Sequence, residues 1–245
     1  MADFRWFKDE FDSKLLEKPV HKLIILEEIS DDSAITDCVH SAPAPGMVCC
    51  FTPHQPRMLA WLKKEGFDLI TTRNTYQLKL PNANADQEQA AGMRILKKGE
   101  LPHDSVLKSF DSLMAEIIPK SRFAKDALIP VAKAWEIYRQ WLFNSFFNGF
   151  ADEYFVIEAQ GEYVGLITLK IREAWGFIDL IVVDRKFQGM KIGKTLLRLA
   201  KSFMADRGIG ILKVETEGEN IQSNVFYQRN GFVLENFELV FHKHC

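Results

Sequence analysis

The feature that most constrains this chain is an apolar run, Ile178 to Val183, that passes through Gln188-Gly189-Met190-Lys191-Ile192-Gly193-Lys194 into a long amphipathic segment. The run is rich in β-branched residues and reads as a strand. Ile192 to Arg207 reads as a helix, with Ile192, Leu196, Leu199 and Phe203 on one apolar face. A helix entered this way is a phosphate cradle: its first N–H groups lack intrahelical partners and the macrodipole places positive charge there. Gly189 and Gly193 allow a ligand close to the backbone. Lys191 and Lys194 lie in that turn, where a dianionic ligand explains them, whereas Arg198 and Lys201 read as a solvated basic face.

The rest of the chain sorts around this unit. Before it come a strand at Arg94 to Lys97, helices at His103 to Ala115 and Val131 to Asn148, and a hairpin. The hairpin joins Tyr154–Ala159 to Tyr163–Lys170 through Gln160-Gly161-Glu162. The strand with the apolar run begins at Gly176. After it come strand Ile211 to Glu215, helix Ile221 to Arg229, and two strands, Phe232 to Glu235 and Glu238 to His242. Residues 81–89 are polar and without hydrophobic period, which marks a linker. Ahead of it, strands at Lys22 to Leu26 and Met47 to Phe51, a helix from Pro56 stopping at Gly66, and strands at Phe67 to Ile70 and Tyr76 to Leu80 form a smaller unit. The expected division is a small N-terminal α/β domain over 1–85, a linker over 86–92 and a larger domain over 93–245, an α/β (α+β) chain overall.

Composition narrows the partners. Lys and Arg total 31 against 33 Asp and Glu, so no basic field draws a polynucleotide. The N-terminus does not read as a secretory signal and no apolar stretch is long enough to span a bilayer, so a cytoplasmic location with no membrane partner is expected. Cys38, Cys49, Cys50 and Cys245 follow no disulfide or zinc spacing and are expected as reduced thiols. His242 and His244 alternate on the last strand beside Cys245, but no fourth ligand stands at recognisable spacing, and no metal is expected.

A second constellation is Asn220, Asn224 and Tyr227, spaced to share one face of the helix after strand Ile211 to Glu215. Asn220 reads as an N-cap or a ligand contact, and Tyr227 as a packing residue or a proton donor. A phenol near pKa 10 can protonate a thiolate whose conjugate acid lies near 8.5, approximately the relation an acid catalyst of thioester aminolysis needs. Asp179 and Glu173 are candidate bases for the attacking amine, or exposed strand residues.

Gln188 with Gly193 five residues on, after a strand ending in Val183, resembles the pyrophosphate-binding motif of the GNAT superfamily of N-acetyltransferases. The usual pattern is Gln/Arg-x-x-Gly-x-Gly/Ala, and Lys191 stands here at the first glycine position. The resemblance implies a GNAT fold: a mixed, largely antiparallel, splayed sheet flanked by helices, with a smaller N-terminal domain resembling a partial GNAT fold. It implies acetyl-CoA as cofactor, held by the strand edge Ile181, Val182 and Val183, by Gln188, Gly189, Met190, Lys191, Ile192, Gly193 and Lys194, and by Asn220 and Asn224. It also places the general acid at Tyr227.

Ser121-Arg122-Phe123, Pro130, Tyr138, Trp141, Asn144 and Gly149 resemble the corresponding stretch of the TDP-fucosamine acetyltransferases. That family acetylates the 4-amino group of a dTDP-4-amino-4,6-dideoxy sugar in bacterial surface-polysaccharide biosynthesis. The implied substrate contacts are Ser121, Arg122, Phe123, Tyr138 and Trp141, with Arg122 suited to a diphosphate and the aromatics to apolar walls, although helix aromatics such as Trp141 are commonly core. The reading is a nucleotide-sugar N-acetyltransferase working by direct transfer on a small-molecule amine, with a homodimer left open. Two alternatives stand beside it: transfer to another amine (an amino acid, an aminoglycoside or a protein N-terminus), and a non-catalytic acetyl-CoA-binding module.

Overall fold

In a computed structural model, residues 3–27, 32–80, 93–101 and 109–245 are described. The first third forms β1 (Phe4–Lys8), α1 (Glu10–Leu16), β2 (Val20–Ile25), α2 (Ser33–His40), β3 (Met47–Thr52), α3 (Pro56–Lys64) and β4 (Asp68–Lys79). There follow β5 (Arg94–Lys97), α4 (Asp111–Ile117), α5 (Arg122–Lys125), α6 (Val131–Phe147), β6 (Glu153–Ala159), β7 (Glu162–Arg172) and β8 (Trp175–Val183). The chain closes with α7 (Ile192–Ala205), β9 (Ile211–Glu217), α8 (Ile221–Arg229) and β10 (Val233–His244). The 81–89 linker, the 86–92 boundary and the start of the helix expected at His103 lie outside the described residues.

The ten strands among the described residues join one open sheet in the order β1-β2-β3-β10-β4-β9-β8-β7-β6-β5. Among the described residues, only β2 with β3 and β8 with β9 run parallel. The hairpin turn between β6 and β7 places Gln160 and Gly161 at φ 54° and 79°, the positive pair a tight turn requires.

Two strand expectations are corrected. Phe67–Ile70 and Tyr76–Leu80 fall on one strand, β4, because Thr71 to Thr75 carries no glycine or proline, pairs with β10 throughout and pairs with β9 from Arg73 onward. The expected final pair of strands is a single twelve-residue strand, β10. Between Leu234 and Asn236 the chain bulges at Glu235 against β4 instead of turning, as no glycine or proline is present to reverse it. The sequence reading also passed over β1, α1 and α2.

Helices cover both faces. On one, α1, α4, α5 and α6 lie over a core that runs from Leu15, Met47 and Phe51 through Phe110, Ile137 and Phe146 to Tyr154, Leu180 and Val240. On the other, α2 and α3 pack on Leu23, Val48 and Phe241, while α7 and α8 pack on Ile167, Ile178, Leu212 and Val214. Both faces of β3 are therefore buried, and burial pushes the Cys49 thiol up to about 12 and Cys50 higher still, as inert thiols.

Candidate active site

The site begins where two strands part. β8 pairs with β9 only over Gly176–Ile178 against Leu212–Val214. Beyond that, β8 stays on β7 to Val183 and β9 stays on β4 to Glu217. Asp179–Val183 and Glu215–Glu217 thus present facing edges that do not hydrogen-bond each other. The wedge between them opens into a cavity of about 570 Å³. It runs from Gln188 to Lys194 at one end to Phe51, Arg73, Arg122, Tyr138 and Trp141 at the other.

At the loop end, Lys191 is the N-cap of α7 with φ 62° and makes no side-chain capping bond. The first N–H groups of a fourteen-residue helix are therefore uncapped beside the cavity. Gly189 has φ +83°, and a Cβ there would meet open space. Gly193 lies under Phe226, whose ring atoms would stand 3.1 Å from an added Cβ, so any larger residue would push that ring aside by a few tenths of an ångström. Gln188 Nε2 donates to the Val183 carbonyl at 3.1 Å, and Gln222 Nε2 donates to Gln188 Oε1 at 2.7 Å. Gln188, Gly189, Lys191, Ile192, Gly193 and Lys194 line the cavity, as do Ile181, Val182 and Val183. Met190 does not: it is half exposed on the outside of the turn.

The face expected on α8 divides. Asn220 lines the cavity and is also the N-cap, its Oδ1 accepting from the Ser223 N–H at 3.4 Å. Asn224 is buried behind the wall. Its Nδ2 is shared among the carbonyls of Glu217, Gly218 and Asn220, and its Oδ1 accepts from Asn74 Nδ2 and Tyr76 Oη at 2.7 and 2.9 Å. Asn224 thereby ties α8 to β4 and leaves no donor free for a ligand. Tyr227 is buried, packs on Tyr76 and Phe232, and lines the cavity. Burial, with Glu217 adding to it, pushes its phenol well above the ordinary value, so it keeps its proton.

Of the two expected bases only Asp179 reaches the cavity, and its carboxylate is engaged. It accepts from Trp141 Nε1 at 2.6 Å and pairs with Lys170 at 3.1 Å. Burial lowers the Lys170 ammonium while Asp179 opposes that shift. Glu173 is an exposed residue of the β7–β8 turn at φ 44°, remote from the cavity lining, because β7 and β8 extend past the wedge before they turn.

The far end combines the two halves of the chain. Arg122 and Phe123 of α5, and Tyr138 and Trp141 of α6, line it as expected. Ser121 does not: its hydroxyl donates to the Ile118 carbonyl and accepts from Ala124 N–H, capping α5. The Arg122 guanidinium is pinned by Asp12 of α1 at 2.8 Å and lies over Phe123 and Phe51, 4.2 and 5.7 Å from their ring centres. Phe51, Thr71, Arg73 and Glu217 also line the cavity and were not read from sequence. The first three come from β3 and β4, whose places beside this site depend on distant pairing. Glu217 alternates with buried Thr216 and reads as a solvent-facing strand residue, so only knowledge of the splay would have found it.

Outside the cavity, Asp126 accepts from His242 Nδ1 at 2.7 Å and His244 Nε2 at 2.8 Å, a grouping with metal-ligand chemistry. Lys18 Nζ lies 3.0 Å from His244 Nδ1 and must be the donor, which fixes the proton on His244 Nε2. Asp126 thus ties the two rings together, while the buried His242 Nε2 has no hydrogen-bond partner among the described residues.

Residues 116–232 match the model described as the acetyltransferase (GNAT) family. The matched segment holds the wedge, the loop and α8. This segment is a GNAT acetyltransferase domain. The family is that of acetyl-CoA-dependent N-acetyltransferases, and the fold is the GNAT fold, with an open mixed sheet flanked by helices. A GCN5-related N-acetyltransferase from Sphaerobacter thermophilus matches 99% of this chain and 76% of its own at TM-score 0.65 and 13% identity.

Among curated proteins, N-alpha-acetyltransferase 30 of Dictyostelium discoideum is 32% identical over 102 residues, covering 40% of this chain and 55% of that protein. Spore coat polysaccharide biosynthesis protein SpsD of Bacillus subtilis is 25% identical over 141 residues, covering 58% and 48%. The chain thus spans about half the length of these two relatives. No helix among the described residues is long and apolar enough to cross a membrane.

The GNAT site suits acetyl-CoA on its own chemistry. The uncapped helix start with Lys191 and Lys194 accommodates a pyrophosphate, and the unpaired edge of β8 can hydrogen-bond an extended amide-bearing arm as a further strand would.

Proposed function

We propose that this protein N-acetylates the amino group of a nucleotide-linked amino-deoxy sugar, of the dTDP-4-amino-4,6-dideoxyhexose type, by direct transfer from acetyl-CoA. The observation that carries this reading is one cavity joining the GNAT loop to a second chamber lined by aromatic and charged side chains of both signs. Phe51, Phe123, Tyr138 and Trp141 offer apolar walls to a deoxysugar or a base, and Lys120 brings positive charge for a diphosphate beside Arg73 and Arg122, whose guanidinium groups are also held by carboxylates. The likeness to SpsD, named for spore coat polysaccharide biosynthesis, supports a place in polysaccharide biosynthesis.

In this reading Gln188 to Lys194 hold the pyrophosphate and Ile181 to Val183 hold the pantetheine amides. Acetyl-CoA supplies the acetyl group as a thioester, which a neutral amine can attack. Tyr227 is the acid that protonates the departing sulfur. Asp179, bonded to both Trp141 and Lys170, fixes the wall of the acceptor chamber.

A second reading is transfer to a peptide α-amine, favoured by the likeness to N-alpha-acetyltransferase 30. Acetyl-CoA-dependent thiol release, screened against dTDP- and UDP-4-amino sugars and a panel of short peptides, separates the two. Turnover with a nucleotide amino sugar and none with peptides is expected. Turnover with peptides alone would replace the sugar reading.

A further inference from the structure

The proposed transfer needs a neutral amine, and the cavity contains one carboxyl group suited to making it. Asp179 and Glu215 are committed to cations, Lys170 at 3.1 Å and Arg73 at 3.2 Å. Glu217 has no ion-pair partner among the described residues. The cations around it are all engaged by other carboxylates. Arg73, its cross-strand neighbour in the β4–β9 register, bonds Glu238 at 2.6 Å. Lys125 bonds Glu219 at 3.0 Å, and Arg122 bonds Asp12 at 2.8 Å.

Glu217 also occupies the right place. It ends β9 on the open side of the wedge, across from Asp179–Val183. It shares the cavity with Tyr227, and it is the carboxylate whose charge bears on that phenol. Glu116, the remaining acidic residue of the lining, stands on α4 and has no such influence on Tyr227.

We propose that Glu217 is the base that takes the proton of the acceptor amine, a role that rests on the acetyltransferase reading above. The amine enters as an ammonium and gives one proton to the Glu217 carboxylate, which releases it to solvent. The amine nitrogen then forms the C–N bond to the thioester carbonyl carbon, and the C–S bond breaks. Tyr227 gives its proton to the sulfur, and the second proton lost by nitrogen restores Tyr227. The net change is one ammonium and one thioester to one amide, one thiol and one released proton.

Burial pushes the Glu217 carboxyl above its ordinary value, against hydrogen bonds from the backbone N–H groups of Glu217 itself and of Arg122 and the charges of Lys125 and Arg122. A base is most effective when its pKa lies near the working pH. The groups facing it are Arg122 and Lys125 from α5, Tyr138 from α6, Tyr227 from α8, Arg73 from β4, and Glu215 on its own strand.

Glu217→Gln tests this on the full chain. The expected result is a loss of about 100-fold or more in kcat/KM for the acceptor at neutral pH, with acetyl-CoA affinity by calorimetry unchanged. That loss should shrink as pH rises, because the amine then deprotonates unaided, whereas a merely structural defect would persist at every pH. In the ligand-free protein, the side-chain 13C carboxyl signal of Glu217 should titrate above the ordinary value of 4.5. Retention of wild-type kcat/KM by Glu217→Gln, or a pH-independent loss, overturns the assignment of the base and leaves the acetyltransferase reading intact. Wild-type protein that binds acetyl-CoA yet acetylates no amine overturns both.

Discussion

Asp12→Asn is the change by which the two halves of the chain can be shown to depend on each other. Asp12 is 3% exposed on α1, and its carboxylate bonds the Arg122 guanidinium at 2.8 Å across 110 positions of sequence. Removing one partner of a buried ion pair strands the other charge and costs about 3–5 kcal/mol. Three features place this case near the lower bound. Arg122 retains 21% side-chain exposure, its guanidinium lies over two aromatic rings, and asparagine can still accept a hydrogen bond. A loss of about 3 kcal/mol in a chain of this size lowers the melting temperature by roughly 6–12 °C. Thermal unfolding followed by circular dichroism, with urea titration to confirm an unchanged m-value, measures it. Combining Asp12→Leu with Arg122→Met should cost less than the two single changes added, because no charge is left stranded. A melting temperature within about 1 °C of wild type for Asp12→Asn would refute the coupling.

Two further outcomes follow from the site and its surroundings. Tyr227→Phe preserves the ring packing on Tyr76 and Phe232 but removes the acid; kcat should fall by about 100-fold or more while acetyl-CoA binding stays intact, and an unchanged kcat would count against Tyr227. Folding stability should decline as pH falls below His242's ordinary value of 6.5, because burial lowers His242 in the folded state. The unfolded chain then takes up a proton that the folded chain refuses, a slope of up to about 1.4 kcal/mol per pH unit. Asp126 acts in the same direction at lower pH: burial alone would raise it, but its bonds from His242 and His244 hold it below the usual carboxylate range. Its contribution is present above the unfolded value and lost as pH falls towards the folded one. Urea midpoints between pH 7.5 and 5.5, compared with His242→Phe, read the first effect, and parallel slopes in the two proteins would exclude His242 as its source.

What was legible in the sequence is what short-range physics determines. The strand, glycine-bearing turn and helix from Ile178 to Ala205 form one continuous local signal, and Ile221–Arg229 was bounded by its cap and by Gly231. The resemblance carried by that turn correctly gave the GNAT fold and acetyl-CoA. Where a residue's role depended on a distant strand, sequence gave no handle. β4 lies between β10 and β9 only because a strand from the first third of the chain inserts between two from its last fifth, so Thr71 and Arg73 became visible as site residues only in the fold. Glu173 and Asp179 share an apparent strand-and-turn context in sequence, but the turn carries one out to solvent and the wedge holds the other inside. Asn224 and Ser121 are polar residues at suggestive positions whose hydrogen bonds are consumed in holding α8 and α5.

The placement of β4 also bears on why the N-terminal half is present at all. β4 hydrogen-bonds β9 from Arg73 to Lys79 on one edge and β10 on the other, and its Tyr76, 2% exposed, packs on Tyr227. A chain beginning at residue 93 would leave the outer edge of β9 open, uncover Tyr227, and remove Phe51, Thr71 and Arg73 from the acceptor chamber. Uncovering a fully buried large side chain costs about 1.5–3 kcal/mol, and several such losses are comparable with the roughly 5–15 kcal/mol by which a folded protein is stable. Residues 93–245 expressed alone should therefore be unfolded or aggregated, and co-expression with residues 1–85 should restore both solubility and acetyl-CoA binding. A soluble 93–245 fragment with wild-type acetyl-CoA affinity and a cooperative melt would show that the GNAT wedge stands without β4. In that case the N-terminal half would serve the acceptor alone.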